Sequence, residues 1–109
     1  MGRHNHENSV ALEGYRHPVV LSGDDTFSAP ASQMYMYLAD NANAVWNDQG
    51  TLWAFKSSNA SINDYGDLSG SQSVAGEFIR VPVEIAKGDQ TALENWSNAN
   101  NVFQFIRVE

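Results

Sequence analysis

The chain has 109 residues, thirteen of them acidic and six basic, for a formal net charge of −7. That length holds one domain with one core, and the charge argues against a nucleic-acid partner or a polybasic membrane anchor, both of which need a basic surface. Three Trp, four Tyr and five Phe place the chain clear of disorder, and zero cysteines exclude disulfides, thiolate metal sites and a cysteine nucleophile.

Residues 1–17 have no regular apolar period and read as an N-terminal arm, followed by a single β domain over 18–109. An arm without core contacts of its own is most easily ordered by a neighbouring subunit. No hydrophobic segment of the signal-peptide kind is present, so none is expected. No apolar run approaches the ~20 residues of a membrane span.

Beyond the arm, short strands alternate with turn chemistry. Pro18 to Leu21 is apolar and ends at Ser22-Gly23-Asp24-Asp25. Gln33 to Leu38 reads as a strand with Met34, Met36 and Leu38 on one face and Tyr35 and Tyr37 on the other. Asp40 to Asn43 is a turn, Ala44-Val45-Trp46 a brief strand, and Asn47 to Gly50 a second turn. Thr51 to Lys56 follows, with Trp53 and Phe55 opposite Leu52 and Ala54, completing a meander. Ser57 to Gly76 is a polar, serine-rich and glycine-rich loop, long for so small a domain.

Glu77 to Ile85 alternates cleanly. Ile79, Val81, Val83 and Ile85 face one way, and Phe78, Arg80, Pro82 and Glu84 the other. Pro82 has no N–H for a ladder, so this strand belongs at an edge or carries a bulge. Ala86 to Asp89 is a turn. Thr91 with Glu94 matches a capping box and predicts one turn of helix before Asn98. Val102 to Val108 reads as a last strand. The fold class expected is all-β: a small sandwich or jelly-roll-like barrel with an extended arm and at most one short helical turn.

Chemical motifs are sparse. His4-Asn5-His6 places two imidazoles at i and i+2, a metal-ligand spacing on an extended arm. A third ligand is missing unless Glu7 or a second subunit supplies it, so a solvated or packed arm is the default and no metal or other cofactor is expected. Gly66-Asp67-Leu68-Ser69-Gly70 lacks the spacing of a nucleophile elbow, and no phosphate-binding glycine loop exists. Asp24 and Asp25 point to opposite faces of a strand and cannot work as an acid/base pair. The acids and amides of 40–48 and 63–67 do not follow a calcium-loop pattern, and turn formation accounts for them. Asn59-Ala60-Ser61 and Asn95-Trp96-Ser97 match the glycosylation acceptor pattern at a frequency that chance explains. No catalytic residues are assigned, and the chain is read as not an enzyme.

The aromatic side chains carry most of the information. Tyr35, Tyr37, Trp46, Trp53 and Trp96 suit a core, a sugar-stacking platform or the anchors of a subunit interface. Because Gln33 to Leu38 is apolar on both faces, one layer of core does not cover it, and an interface is favoured over a sugar site. The interface residues expected are Tyr35, Tyr37, Trp46, Trp53, Phe78 and Arg80.

The order of these features resembles a family of small virion proteins of tailed phages and gene transfer agents, of the head-spike base or capsid-surface type. The resemblance is carried by Gln33-Met34-Tyr35-Met36-Tyr37, the turn, short strand and second glycine turn after it, Ala75 to Val83, and a terminal strand like Val102 to Val108. It spans about Pro18 to Glu109 and rests on pattern and order. The long loop Ser57 to Gly76 and a glycine-poor first turn depart from it. It implies a non-enzymatic β-sandwich or jelly-roll protein that forms a homo-oligomer on the virion surface. The major capsid protein or a fibre protein would be its partner, with no nucleic acid and no membrane.

The expected function is therefore capsid decoration or a head-spike base. A carbohydrate-binding module using exposed Trp and Tyr is the alternative. A hydrolase built on two distant carboxylates has no local support. An acidic mimic of nucleic acid would need arrayed acids, and these are scattered.

Overall fold

The structure is a computed structural model and describes residues 6–24 and 33–104. Strands β1 (His6–Leu12), β2 (Val19–Asp24), β3 (Met34–Leu38), β4 (Thr51–Ser57) and β5 (Gly76–Arg80) form one open antiparallel sheet, ordered as they occur in the chain. Helices α1 (Ala42–Trp46), α2 (Val83–Ala86) and α3 (Gln90–Ala99) accompany it, with a 3-10 turn at Tyr65–Asp67. The fold is β-rich, with a single sheet among the described residues.

Register sorts the side chains into two faces. One row across the sheet runs Ser9, Ser22, Tyr35, Ala54 and Ile79, and the next runs Ala11, Val20, Tyr37 and Leu52. This tyrosine face carries the core. Tyr35 pairs with Ala54, the bulkiest against the smallest, and both are buried with Val81 and Val102. Ile85 and Ala86 of α2 and Leu93 and Trp96 of α3 pack on that cluster. Tyr37 is buried with Ala39 and Ala44 of α1, against Val20 and Val45. All three helices therefore lie on the tyrosine face. Burying each large apolar side chain contributes roughly 1.5–3 kcal/mol.

A buried polar chain runs through this packing. The Tyr35 hydroxyl donates to Gln33 Oε1, Gln33 Nε2 donates to Ser97 Oγ of α3 at 2.8 Å, and it also reaches Gln104 Oε1 at 3.3 Å. Gln33 and Ser97 are each 1% exposed. Gln104 is held in turn by its backbone, with its N–H on Asn63 O and its carbonyl accepting from Tyr65 N–H. Beside it Val102 forms a bridge to Lys56, and the Phe103 N–H donates to Phe55 O. The chain after α3 thus returns to the sheet beyond the start of β3.

Several elements differ from the sequence reading. The segment 1–17, read as an arm without a core element, contributes β1 to the sheet. Ser9, Val10 and Ala11 are exposed there, so the strand needed no apolar alternation to form. Ala44-Val45-Trp46 is helical, not a strand. Asn41 caps it by accepting from Ala44 N–H at 2.9 Å. Its C-terminus closes as a Schellman motif, with Gln49 N–H on Ala44 O, Asp48 N–H on Val45 O, and Asp48 left-handed at φ 53. These local bonds outweigh the weak β preference of three residues.

The strand expected over Glu77 to Ile85 stops at Arg80. Pro82 is the N-cap of α2, at φ −57, and Val83 and Ile85 belong to that helix. Proline needs no N–H there, and because Pro82 lies outside β5 it does not account for β5 being terminal among the described strands. The helix expected to start at Thr91 starts at Asp89, whose carboxylate accepts from Ala92 N–H at 2.9 Å. It runs ten residues, so the expectation of at most one short helical turn is corrected. Its end repeats the closure of α1, with Val102 N–H on Ser97 O and Asn101 at φ 54. Of the last expected strand, Val102 and Gln104 form isolated bridges. Phe105 to Val108 lie outside the described residues, as do Asp25 and His4.

Two stability predictions follow the bonding. Asp89→Ala removes the cap of α3 and is expected to cost about 1 kcal/mol in urea unfolding. Gln33→Leu removes the amide that accepts from the Tyr35 hydroxyl and donates to Ser97 and Gln104 in the core, and is expected to cost about 2–4 kcal/mol, more than Tyr35→Phe at about 1 kcal/mol. Equal losses in the two variants would show that the network has no such centre.

Candidate functional surface

The face opposite the helices is apolar. Its central row runs Val10, Leu21, Met36, Trp53 and Arg80 across all five strands. A neighbouring row pairs Phe55 with Phe78. Leu21, Met36, Trp53, Phe55 and Phe78 are half-buried, and Val10 is 56% exposed. The strands place these residues by alternation alone: the side chains that β3 and β4 do not give to the tyrosine core must point here. Ring packing stiffens one end. Phe55 meets Phe78 at 5.7 Å and Phe103 at 6.0 Å, both edge-on. At the other end Trp53 Nε1 donates to Thr51 Oγ1 at 2.8 Å, which fixes the indole along the strand.

Of the interface residues expected from sequence, Trp53, Phe78 and Arg80 come together on this face. Tyr35 and Tyr37 do not, because they are 1% and 4% exposed in the chain's own core. Their hydroxyls are used internally, Tyr35 on Gln33 and Tyr37 accepting from Gly50 N–H at 2.6 Å. Trp46 lies apart at the end of α1 and is 87% exposed. Trp96 packs against the core and offers no platform. Val10, Leu21, Met36 and Phe55 were missed as surface residues. The Met34/Met36 alternation was the signal for one of them; the pairing that gathers the others is not written locally.

A cleft of about 410 Å³ opens beside β4 and β5, lined in part by Tyr37, Asp48, Gly50, Thr51, Arg80 and Lys87. Gly50 fits there because a Cβ would sit 2.2 Å from the Tyr37 ring. One carboxylate and two cations give the cleft mixed charge. Among the described residues no three His, Asp or Glu side chains group as metal ligands, and no helix is long and apolar enough to cross a membrane. His6 lies in β1, and the pairing of His4 with His6 falls outside the described side chains.

No family model matches the chain, and neither does a curated protein or a solved structure.

Trp46 is so exposed that it should be the tryptophan most open to a soluble quencher. Trp46→Phe is expected to remove most acrylamide-quenchable emission and to change stability by less than about 0.5 kcal/mol. An unchanged quenching profile would place Trp46 under cover in solution.

Proposed function

We propose that the chain is a structural subunit without catalytic activity that self-associates through its Met36/Trp53/Phe78 face. We further propose that it serves as a capsid-decoration or head-spike base protein on a virion surface. The observation that carries the reading is the two-sided sheet. Helices cover the tyrosine face, while the opposite face keeps Leu21, Met36, Trp53, Phe55 and Phe78 half-buried. A contiguous apolar surface of this kind on a small acidic domain marks an interaction site. Trp and Met at its centre are residue types enriched in the cores of protein interfaces.

A second copy laid face to face would supply the missing layer, with the sheets about 10 Å apart. The β-sandwich implied by the family resemblance is then completed between subunits. The remaining partner is a capsid or fibre protein, which fits the resemblance in the Gln33 to Tyr37 and Ala75 to Val83 segments. Nucleic acid and membranes do not fit a surface with two lysines and a charge of −7.

Native mass spectrometry over a dilution series tests the self-association. The wild type is expected as a closed oligomer, and Trp53→Lys is expected to weaken association at least about tenfold while leaving the helical and sheet signals intact. A wild type that stays monomeric at all concentrations overturns the reading.

One observation favours a second reading. Trp46, at 87% exposure on α1, is placed to stack on a sugar ring. A carbohydrate-binding module predicts a shift in its fluorescence across a glycan panel. Flat titrations would leave Trp46 as a protein anchor.

A further inference from the structure

We propose that one end of the sheet, where the β1–β2 connection, α1 and the cleft beside β5 lie side by side, binds an uncharged oligosaccharide, with Tyr15 and Trp46 as two stacking platforms. The inference deepens the carbohydrate reading of Trp46 given above and rests on it; it is independent of the Met36/Trp53/Phe78 face. Register sets the layout. Leu12, Val19, Leu38 and Thr51 form one row across four strands, so the chain leaves β1 and β3 at the same end of the sheet. The two connections are tied together there. Ala39 N–H donates to Pro18 O at 3.1 Å, and the His17 ring donates to Asp40 O at 3.2 Å. The cleft continues the line, since Asp48, Gly50 and Thr51 line it and follow α1 in the chain. From β1 to β5 this end spans roughly 19 Å, at about 4.8 Å per strand, which suits a chain of sugars better than a single ring.

Three observations select the chemistry of the ligand. The first is the rings. Tyr15 at 66% and Trp46 at 87% are the two most exposed large apolar side chains among the described residues, and an exposed ring offers its face to the C–H face of a sugar. Trp46 is also preset, because Asn41 caps the start of α1 and Asp48, at φ 53, closes its end. The second is the amides around it. Asn43, Asn47 and Gln49 are exposed, and among the described residues nothing engages their side-chain amides. An amide sets donors beside an acceptor, which neighbouring sugar hydroxyls can match. The anchor of a protein interface is instead ringed by packing that excludes water. The third is charge. The chain carries −7, yet here Glu13 and Asp40 accompany Arg16, and Asp48 shares the cleft with Arg80 and Lys87. A locally balanced surface gathers neither polyanions nor polycations, so recognition falls to rings and hydroxyl partners. The cleft of about 410 Å³ takes the sugar unit beyond Trp46.

Titration of the full chain with hexamers of glucose, N-acetylglucosamine, mannose and galactose, and with the matching single sugars, tests the proposal. Tryptophan emission and the ring resonances of Tyr15 are the readouts. At least one hexamer is expected to move both signals and to bind at least about tenfold more tightly than its single sugar, which reaches one platform only. Tyr15 and Trp46 are exposed, so Tyr15→Ala and Trp46→Ala leave the fold intact, and each is expected to weaken hexamer binding about five- to tenfold. Added salt is expected to change the affinity little, because the ligand is uncharged. If Trp46→Ala abolishes binding while Tyr15→Ala does not alter it, and the single sugar binds as tightly as the hexamer, the two-platform site is wrong and the carbohydrate reading of Trp46 stands. Binding that falls steeply with salt, or that survives both variants, overturns the proposal. No binding to any hexamer overturns it together with the carbohydrate reading.

Discussion

The buried amide of Gln33 is the constraint on which the rest of the structure depends. Its side chain takes the Tyr35 hydroxyl on the oxygen side and gives its N–H groups to Ser97 and Gln104. Three separate stretches of chain therefore converge on one residue just ahead of β3: the sheet itself, the last turn of α3, and the segment that returns beside β4. A buried amide left without partners is costly, whereas one with its donors and acceptor engaged holds its neighbours in a single arrangement. In a domain with a small core, that specificity matters as much as the area of the tyrosine face.

Once α3 is fixed by Ser97, the division of the sheet into two faces follows. The helices occupy the side on which Tyr35 and Tyr37 point, where Ile85, Ala86, Leu93, Trp96, Ala44 and Val45 pack on the two tyrosines' clusters. Met36, Trp53 and Phe78 lie on the other side, half-buried, and no described helix packs there. The bonds within Trp53–Thr51 and the Phe55 ring contacts order this surface in advance, which lowers the conformational cost of covering it. Among the described residues β1 and β5 are the terminal strands of the sheet.

Helix ends in this protein are set by short polar side chains. Asn41, Asp64 and Asp89 each accept a backbone N–H at the start of a helical segment. Asp48 and Asn101 take left-handed conformations at the ends of α1 and α3, a role in which glycine is commoner. The richness in asparagine, conspicuous in the composition, finds part of its use here. Asn101 also accepts from Asn63 Nδ2 at 2.6 Å, which ties the end of α3 to the long loop.

Alternation in Met34 to Leu38 and Thr51 to Ser57 is enough to define β3 and β4 and to separate tyrosines from methionines, because strand side chains alternate by covalent geometry. The absence of cysteine and the acidic charge bound the chemistry without any structure. Tertiary structure alone decided which face was buried, since Tyr35/Tyr37 and Met34/Met36 are both apolar sets and only the docking of α2 and α3 distinguishes them. It also decided the state of Ala44 to Trp46 and of Val83 to Ile85, where apolar spacing fits a strand and capping bonds to Asn41 and the fixed φ of Pro82 made helices. For β1 the reason is the plainest: an edge strand is held by backbone hydrogen bonds to its one neighbour, and those bonds leave no pattern in the side chains.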